Sequence, residues 1–126
     1  MAEMAERAQA GLSRFAGYDV AYDATMVQLL DEWISHHMQQ FPRPSQKMRL
    51  YWTSLLGEVF RRRHEGEWII QEQDDGTRKL GLLCPVASGG FHVVRISDQI
   101  ARRIANGMAA SLAYFYAAKS IELRMN

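Results

Sequence analysis

The sequence predicts an α+β domain whose helices pack on a three-stranded antiparallel meander, in the order ααα-βββ-αα. Three observations carry this. Apolar residues recur at helical spacing through residues 2–64. Past Gly66 the period shortens to two, with Asp75-Gly76 and Gly89-Gly90 as turns. A second helical stretch then closes the chain. Helices and strands in separate runs, rather than in alternation, place the helices on one face of one sheet.

The first helix is expected over 2–16, where Met4, Ala8, Leu12 and Phe15 share a face and Glu3 and Glu6 suit the N-terminal end. Gly17 stops it, and Tyr18–Asp23 is a connector. Asp23 is the expected N-cap of a helix over 24–40 lined by Met26, Leu30, Trp33, Ile34 and His37. Phe41-Pro42-Arg43-Pro44 ends that helix, because proline neither continues a helix nor permits one in the residue before it. Ser45 caps a third helix over 46–64, with a broad stripe of Met48, Trp52, Leu55, Leu56, Val59 and Phe60. Its reverse side carries Leu50, Ser54 and Gly57. A mid-helix glycine costs about 1 kcal/mol against alanine, so a second element is expected to approach there closely. Trp68 and Ile70 alternate on the first strand, Leu80, Leu82 and Cys84 on the second, and Phe91–Ile96 forms the third. Ser97 is expected to cap a helix over 98–106 that Gly107 stops. The last helix, over 108–123, reads as a core helix, since no charge occurs from Ile104 to Ala118.

A chain of 126 residues is about one domain. Its 48% apolar and 23% charged residues exclude a disordered tail, a fibre and a membrane span. Lys and Arg number 15 against 14 Asp and Glu, a net charge of +1, which disfavours a dedicated duplex-DNA binder. Cys84 is the single cysteine, so no internal disulfide forms and a reducing cytoplasm is the expected location. The first ten residues lack the apolar run of a signal peptide.

Candidate chemistry is sparse. His36 and His37 are neighbours on a helix and point about 100° apart, and no zinc-like spacing links His64, His92 and Cys84, so no metal or cofactor is expected. Cys84 with His92 is a conceivable nucleophile and base, but a small buried residue at a strand end is the simpler reading. Glu58 stands four residues before Arg62, the spacing of an ion pair. Arg61-Arg62-Arg63 and Arg102-Arg103 are basic clusters that, with Trp68, suggest single-stranded nucleic acid, although Glu65, Glu67, Glu72, Asp74 and Asp75 offset their field.

Several pieces fall in a suggestive order: Leu56-Gly57-Glu58, then Gly66-Glu67-Trp68, Asp75-Gly76, an Ile100…Arg103 helix, Asn106-Gly107, and Ser111-Leu112-Ala113-Tyr114-Phe115-Tyr116. Over residues 50–117 the chain resembles small uncharacterised bacterial α+β domains with an LGE…GxW…DG…NG…SLAxFY pattern. The resemblance implies an α+β fold and no known enzyme activity, so it carries over no catalytic residue.

The reading of function is a non-catalytic module that binds another protein or itself, of the scaffold or immunity/inhibitor kind. Arg62, Trp68, Tyr114 and Tyr116 are the expected surface contributors, because a domain of this size rarely buries all its aromatics. The small-residue side of the third helix, Ser54 and Gly57, is the expected packing or dimer surface. The alternative is a nucleic-acid binder using Arg61, Arg62, Arg63, Arg102 and Arg103.

Overall fold

The computed structural model describes residues 1–125. The elements follow the expected order: α1 (Ala2–Ala16), α2 (Ala24–Gln40), α3 (Gln46–His64), β1 (Glu67–Glu72), β2 (Arg78–Pro85), β3 (Phe91–Val94), α4 (Ile96–Asn106) and α5 (Leu112–Met125). A 3-10 turn over Gly107–Ala110 joins the last two helices.

The early helix ends are those the sequence predicts. Gly17 closes α1 in the left-handed region at φ 86°, its N–H donating to the Ser13 carbonyl. Asp23 accepts the Met26 N–H at 3.1 Å and Ser45 the Met48 N–H at 3.1 Å, each removing one unpaired donor from a helix start.

The sheet is antiparallel in the order β1-β2-β3. Trp68 stands opposite Leu82, Leu82 opposite Val94, and Cys84 opposite His92, so these residues share a face. Leu82, Cys84 and Val94 on that face are fully buried, and α3 and α4 pack against β2. The hairpin turn works through Asp75-Gly76: Asp75 accepts from the Thr77 N–H and hydroxyl, and Gly76 takes φ 84°.

Helix α3 is the centre of the fold. Every residue from Trp52 to Phe60 is buried, with the sheet on one side and α1 and α2 on the other. The two-sided cover expected from its small reverse face is present.

Four expectations at the chain's second half change. The third strand ends at Val94 rather than Ile96, and α4 begins at Ile96 with no side-chain cap. Ser97 is therefore inside the helix. Its hydroxyl accepts the Leu80 N–H at 2.9 Å, beyond the end of β3, where the β2 edge has no strand partner. The last helix starts at Leu112, because residues 107–110 wind as a tighter 3-10 turn. Nor is α5 a core helix. It buries Leu112, Tyr116, Ser120 and Leu123 and leaves its opposite side open.

Asp31 of α2 sets the start of α5. Its carboxylate accepts the Leu112 and Ala113 N–H groups at 3.0 Å each, the Ser111 hydroxyl at 3.0 Å and Arg103 Nε at 2.8 Å. Ser111 in turn accepts the Tyr114 N–H at 3.3 Å. Arg103 also donates to the Asp31 carbonyl at 2.9 Å and to the Ser35 hydroxyl. Both side chains are almost wholly buried, at 2% and 4% exposure. A buried charge pair needs further hydrogen bonds to offset its desolvation, and here the carboxylate accepts four and Arg103 donates three. Three elements, α2, α4 and α5, meet at this point.

Asp31→Ala leaves Arg103 charged, buried and unpaired, and strips the cap from α5. We expect a loss of about 3–5 kcal/mol of unfolding free energy in urea. The double variant Asp31→Ala/Arg103→Leu should lose less than Asp31→Ala alone, since no orphan charge remains. Equal losses would show that the two side chains are not coupled.

Candidate functional site

A second polar cluster, partly open to the surface, gathers on α3 and β1 around Glu58. Gly57 has no side chain because the Trp68 ring lies across it: a Cβ built there would stand 1.9 Å from the ring. This seats the indole so that Nε1 donates to Glu58 at 3.0 Å. Arg61 adds a two-point pair to the same carboxylate, at 2.7 and 3.0 Å, and Arg62 Nε donates at 3.3 Å. The Arg62 guanidinium also lies 3.8 Å from the centre of the Tyr22 ring, tying the connector between α1 and α2 to the cluster. The tryptophan and glutamate are thus one structural unit, though ten residues apart in the chain.

Burial by itself would raise the Glu58 carboxyl. The hydrogen bonds from Arg61 and Trp68, the Arg61 charge and the Arg62 bond outweigh it and hold the group at about 2. Glu58 is then ionised at neutral pH and its lone pairs are engaged, which suits a structural anion rather than a proton donor.

Cys84 and His92 do face each other across β2 and β3. Burial pushes the thiol up to about 11, so it is protonated at neutral pH, which suits an apolar packing residue. His64 Nε2 lies 2.9 Å from the Ser120 hydroxyl, an arrangement that superficially looks like a nucleophile and its base. Ser120 is buried in the middle of α5, and burial, with Arg63 nearby, lowers the His64 pKa. The bond joins α3 to α5. Among the described residues no group of three or more His, Cys, Asp or Glu side chains is placed to hold a metal ion.

The grooves are shallow. One of about 570 Å³ runs between α2 and the start of α5, over Asp31, Ser35 and Ser111. Another of about 370 Å³ runs along the other flank of α5, past Arg102, Lys119 and Glu122. The two grooves thus flank the first turn of α5, and only the second continues along the helix.

Of the four expected surface residues, the structure brings Arg62 and Trp68 together through Glu58 and sets Tyr114 apart. Arg62 is half exposed, Trp68 is partly buried on Gly57, and Tyr114 is 77% exposed. Tyr116 is a correction: it is 6% exposed, packed edge-on against Phe60 at 4.8 Å. It follows Leu112 by one helical turn and so shares the buried face of α5. Ser54 and Gly57 are likewise buried, and the strand carrying Trp68 already occupies their side of α3, so they offer no dimer surface. The basic clusters also change. Arg103 is bound to Asp31 in the interior, and Arg61 and Arg62 are engaged by Glu58, which leaves Arg63 and Arg102 exposed.

Two apolar faces are uncovered. Ile69, Leu83, Val93 and Phe91 lie on the sheet face away from the helices, with Phe91 68% exposed. On α5, Ala118, Ile121 and Met125 join Tyr114 in one outward stripe. Reading the last helix as core hid this stripe, although its spacing was legible once the buried side was known. Comparison with protein-family models, with curated proteins and with solved structures finds no match to the chain.

Gly57→Ala forces the Trp68 ring off α3 and should cost roughly 1–3 kcal/mol, the range for overpacking, with a lowered thermal midpoint. An unchanged midpoint would mean that the ring does not lie there. The Glu58 carboxyl is lower folded than unfolded, so its stabilisation is complete above the ordinary carboxylate range, near 4.5, and is lost as pH falls towards 2. The stability gap between wild type and Glu58→Gln should therefore narrow between pH 5 and 3 in urea titrations. A gap independent of pH contradicts the assignment.

Proposed function

We propose that this chain is a non-catalytic protein-binding module, of the scaffold or immunity/inhibitor kind, acting through the outer face of α5. The observation that carries the reading is the exposure of Tyr114, Ile121 and Met125, at 77%, 58% and 80%, on one side of a single helix. A surface helix normally turns charge to water and apolar groups inward. Helix α5 turns apolar groups both ways, and exposed apolar patches rimmed by polar groups mark interaction sites. Tyrosine suits such a surface, since it buries a large rigid ring at little entropic cost.

Arg62 and the Trp68 edge form a smaller secondary surface in this reading. Their mutual bonding through Glu58 preorganises them, which lowers the entropic cost of contact. The nucleic-acid alternative is weakened because Arg61, Arg62 and Arg103 already hold carboxylates. One buried thiol suits a cytoplasmic location.

A photo-crosslinking residue placed at Tyr114 tests the reading in the native host. It should give covalent protein adducts, whereas the same residue at exposed Glu3 on α1 should give none. Equal or absent adducts at both positions would remove the reading.

A further inference from the structure

We propose that the outer face of α5 pairs with the same helix of a second copy, the two running antiparallel across a two-fold axis. This rests on the protein-binding reading above and names the partner.

The spacing comes first. Tyr114, Ala118, Ile121 and Met125 are separated by four, three and four residues, the repeat that keeps one seam of a helix facing another helix. The stripe lies opposite the buried Leu112, Tyr116, Ser120 and Leu123. Every member is exposed.

The stripe fits itself when reversed. With the axis between Ala118 and Ile121, Tyr114 meets the partner's Met125, and Ile121 meets the partner's Ala118. A branched side chain then covers a methyl at each central position, so the layers fill without a void. In a parallel pair Ala118 would face the partner's Ala118 and leave a gap. The small Ala117 and Ala118 also let the backbones approach.

Charge supports the same choice. Lys119 and Glu122 lie on one flank of α5, bonded to each other at 3.0 Å. An antiparallel two-fold lays that flank on its own copy, reversed. Glu122 then falls about two residues of helix rise, roughly 3 Å, from the level of the partner's Lys119, and two separate pairs become one network of four charges. On the other flank Arg124 passes over the partner's Ala117, so no like charges meet. A pair of helices this short buries less than the roughly 800 Å² per partner of a standard interface, so the dimer exchanges at micromolar concentration.

Sedimentation velocity of the intact chain, from low micromolar to near-millimolar concentration, is the test. A monomer–dimer equilibrium is expected, and Tyr114→Asp and Ile121→Asp should each move its midpoint at least tenfold higher. The thermal midpoint of the dilute monomer should stay within a degree or two, because neither side chain packs in the core. Orientation is read by oxidative cross-linking on a non-reducing gel. A mixture of Ala118→Cys and Ile121→Cys chains should cross-link faster than either chain alone, Cys84 being buried. A monomer at every concentration, a dimer indifferent to Ile121→Asp, or faster self-linking of Ile121→Cys overturns the proposal. If the chain is monomeric but the Tyr114 crosslinker still captures a different protein, the homodimer falls and the protein-binding reading stands. If it captures nothing, both fall.

Discussion

A buried carboxylate must have every lone pair answered, and that requirement organises this molecule. Asp31 answers it with the first N–H groups of α5, the Ser111 hydroxyl and the Arg103 guanidinium. Where α5 begins, how it leans on α2 and where α4 ends relative to both are consequences of one anion. Glu58 does the same on the other side of the core, gathering two arginines from its own helix and a tryptophan from β1. Apolar burial alone is non-directional and would tolerate several ways of laying five helices on a small sheet. The two carboxylates remove most of them, because any slip of a turn leaves a buried charge unpaired at a cost of several kcal/mol.

Much of the fold was legible because its signals are local. Asp23, Ser45 and Gly17 act within one turn of their own positions, and so do the Asp75-Gly76 turn and the stripe on α3. Gly57 was informative at longer range, since a glycine at the middle of a good helix asks for a neighbour, and Trp68 is that neighbour. The failures share the opposite character. Ser97 has the local chemistry of a cap, yet an unpaired N–H on β2 claims its hydroxyl from seventeen residues away. Asp31 looks like an ordinary charge on α2, and its partners lie 72 to 82 residues downstream. Arg103 looked like half of a basic cluster for the same reason. A side chain's partner across the fold leaves no mark on its own sequence neighbourhood.

The surface reading was harder still, because an aromatic residue says nothing of which way its helix is turned. Tyr114 and Tyr116 differ by two positions, about 200° around α5, so one is 77% exposed and the other 6%. That division is set by Asp31, which fixes the rotation of the helix at its first turn. The same anion that orders the interior therefore decides which stripe of α5 faces outward.

This separates the energetics of the two faces. Leu112, Tyr116 and Leu123 contribute to folding by leaving water, and their loss would be felt in stability. Tyr114, Ile121 and Met125 stay largely in water after folding, so folding draws little from them and a polar residue would serve the monomer equally well. Helix α1 makes the comparison, since its exposed side presents Glu3 and Arg7, bonded to each other at 3.0 Å. An apolar outer face lowers solubility and favours association. Under the proposed protein-binding reading, what α5 gains from its outward stripe is realised only when that stripe leaves water against a second surface.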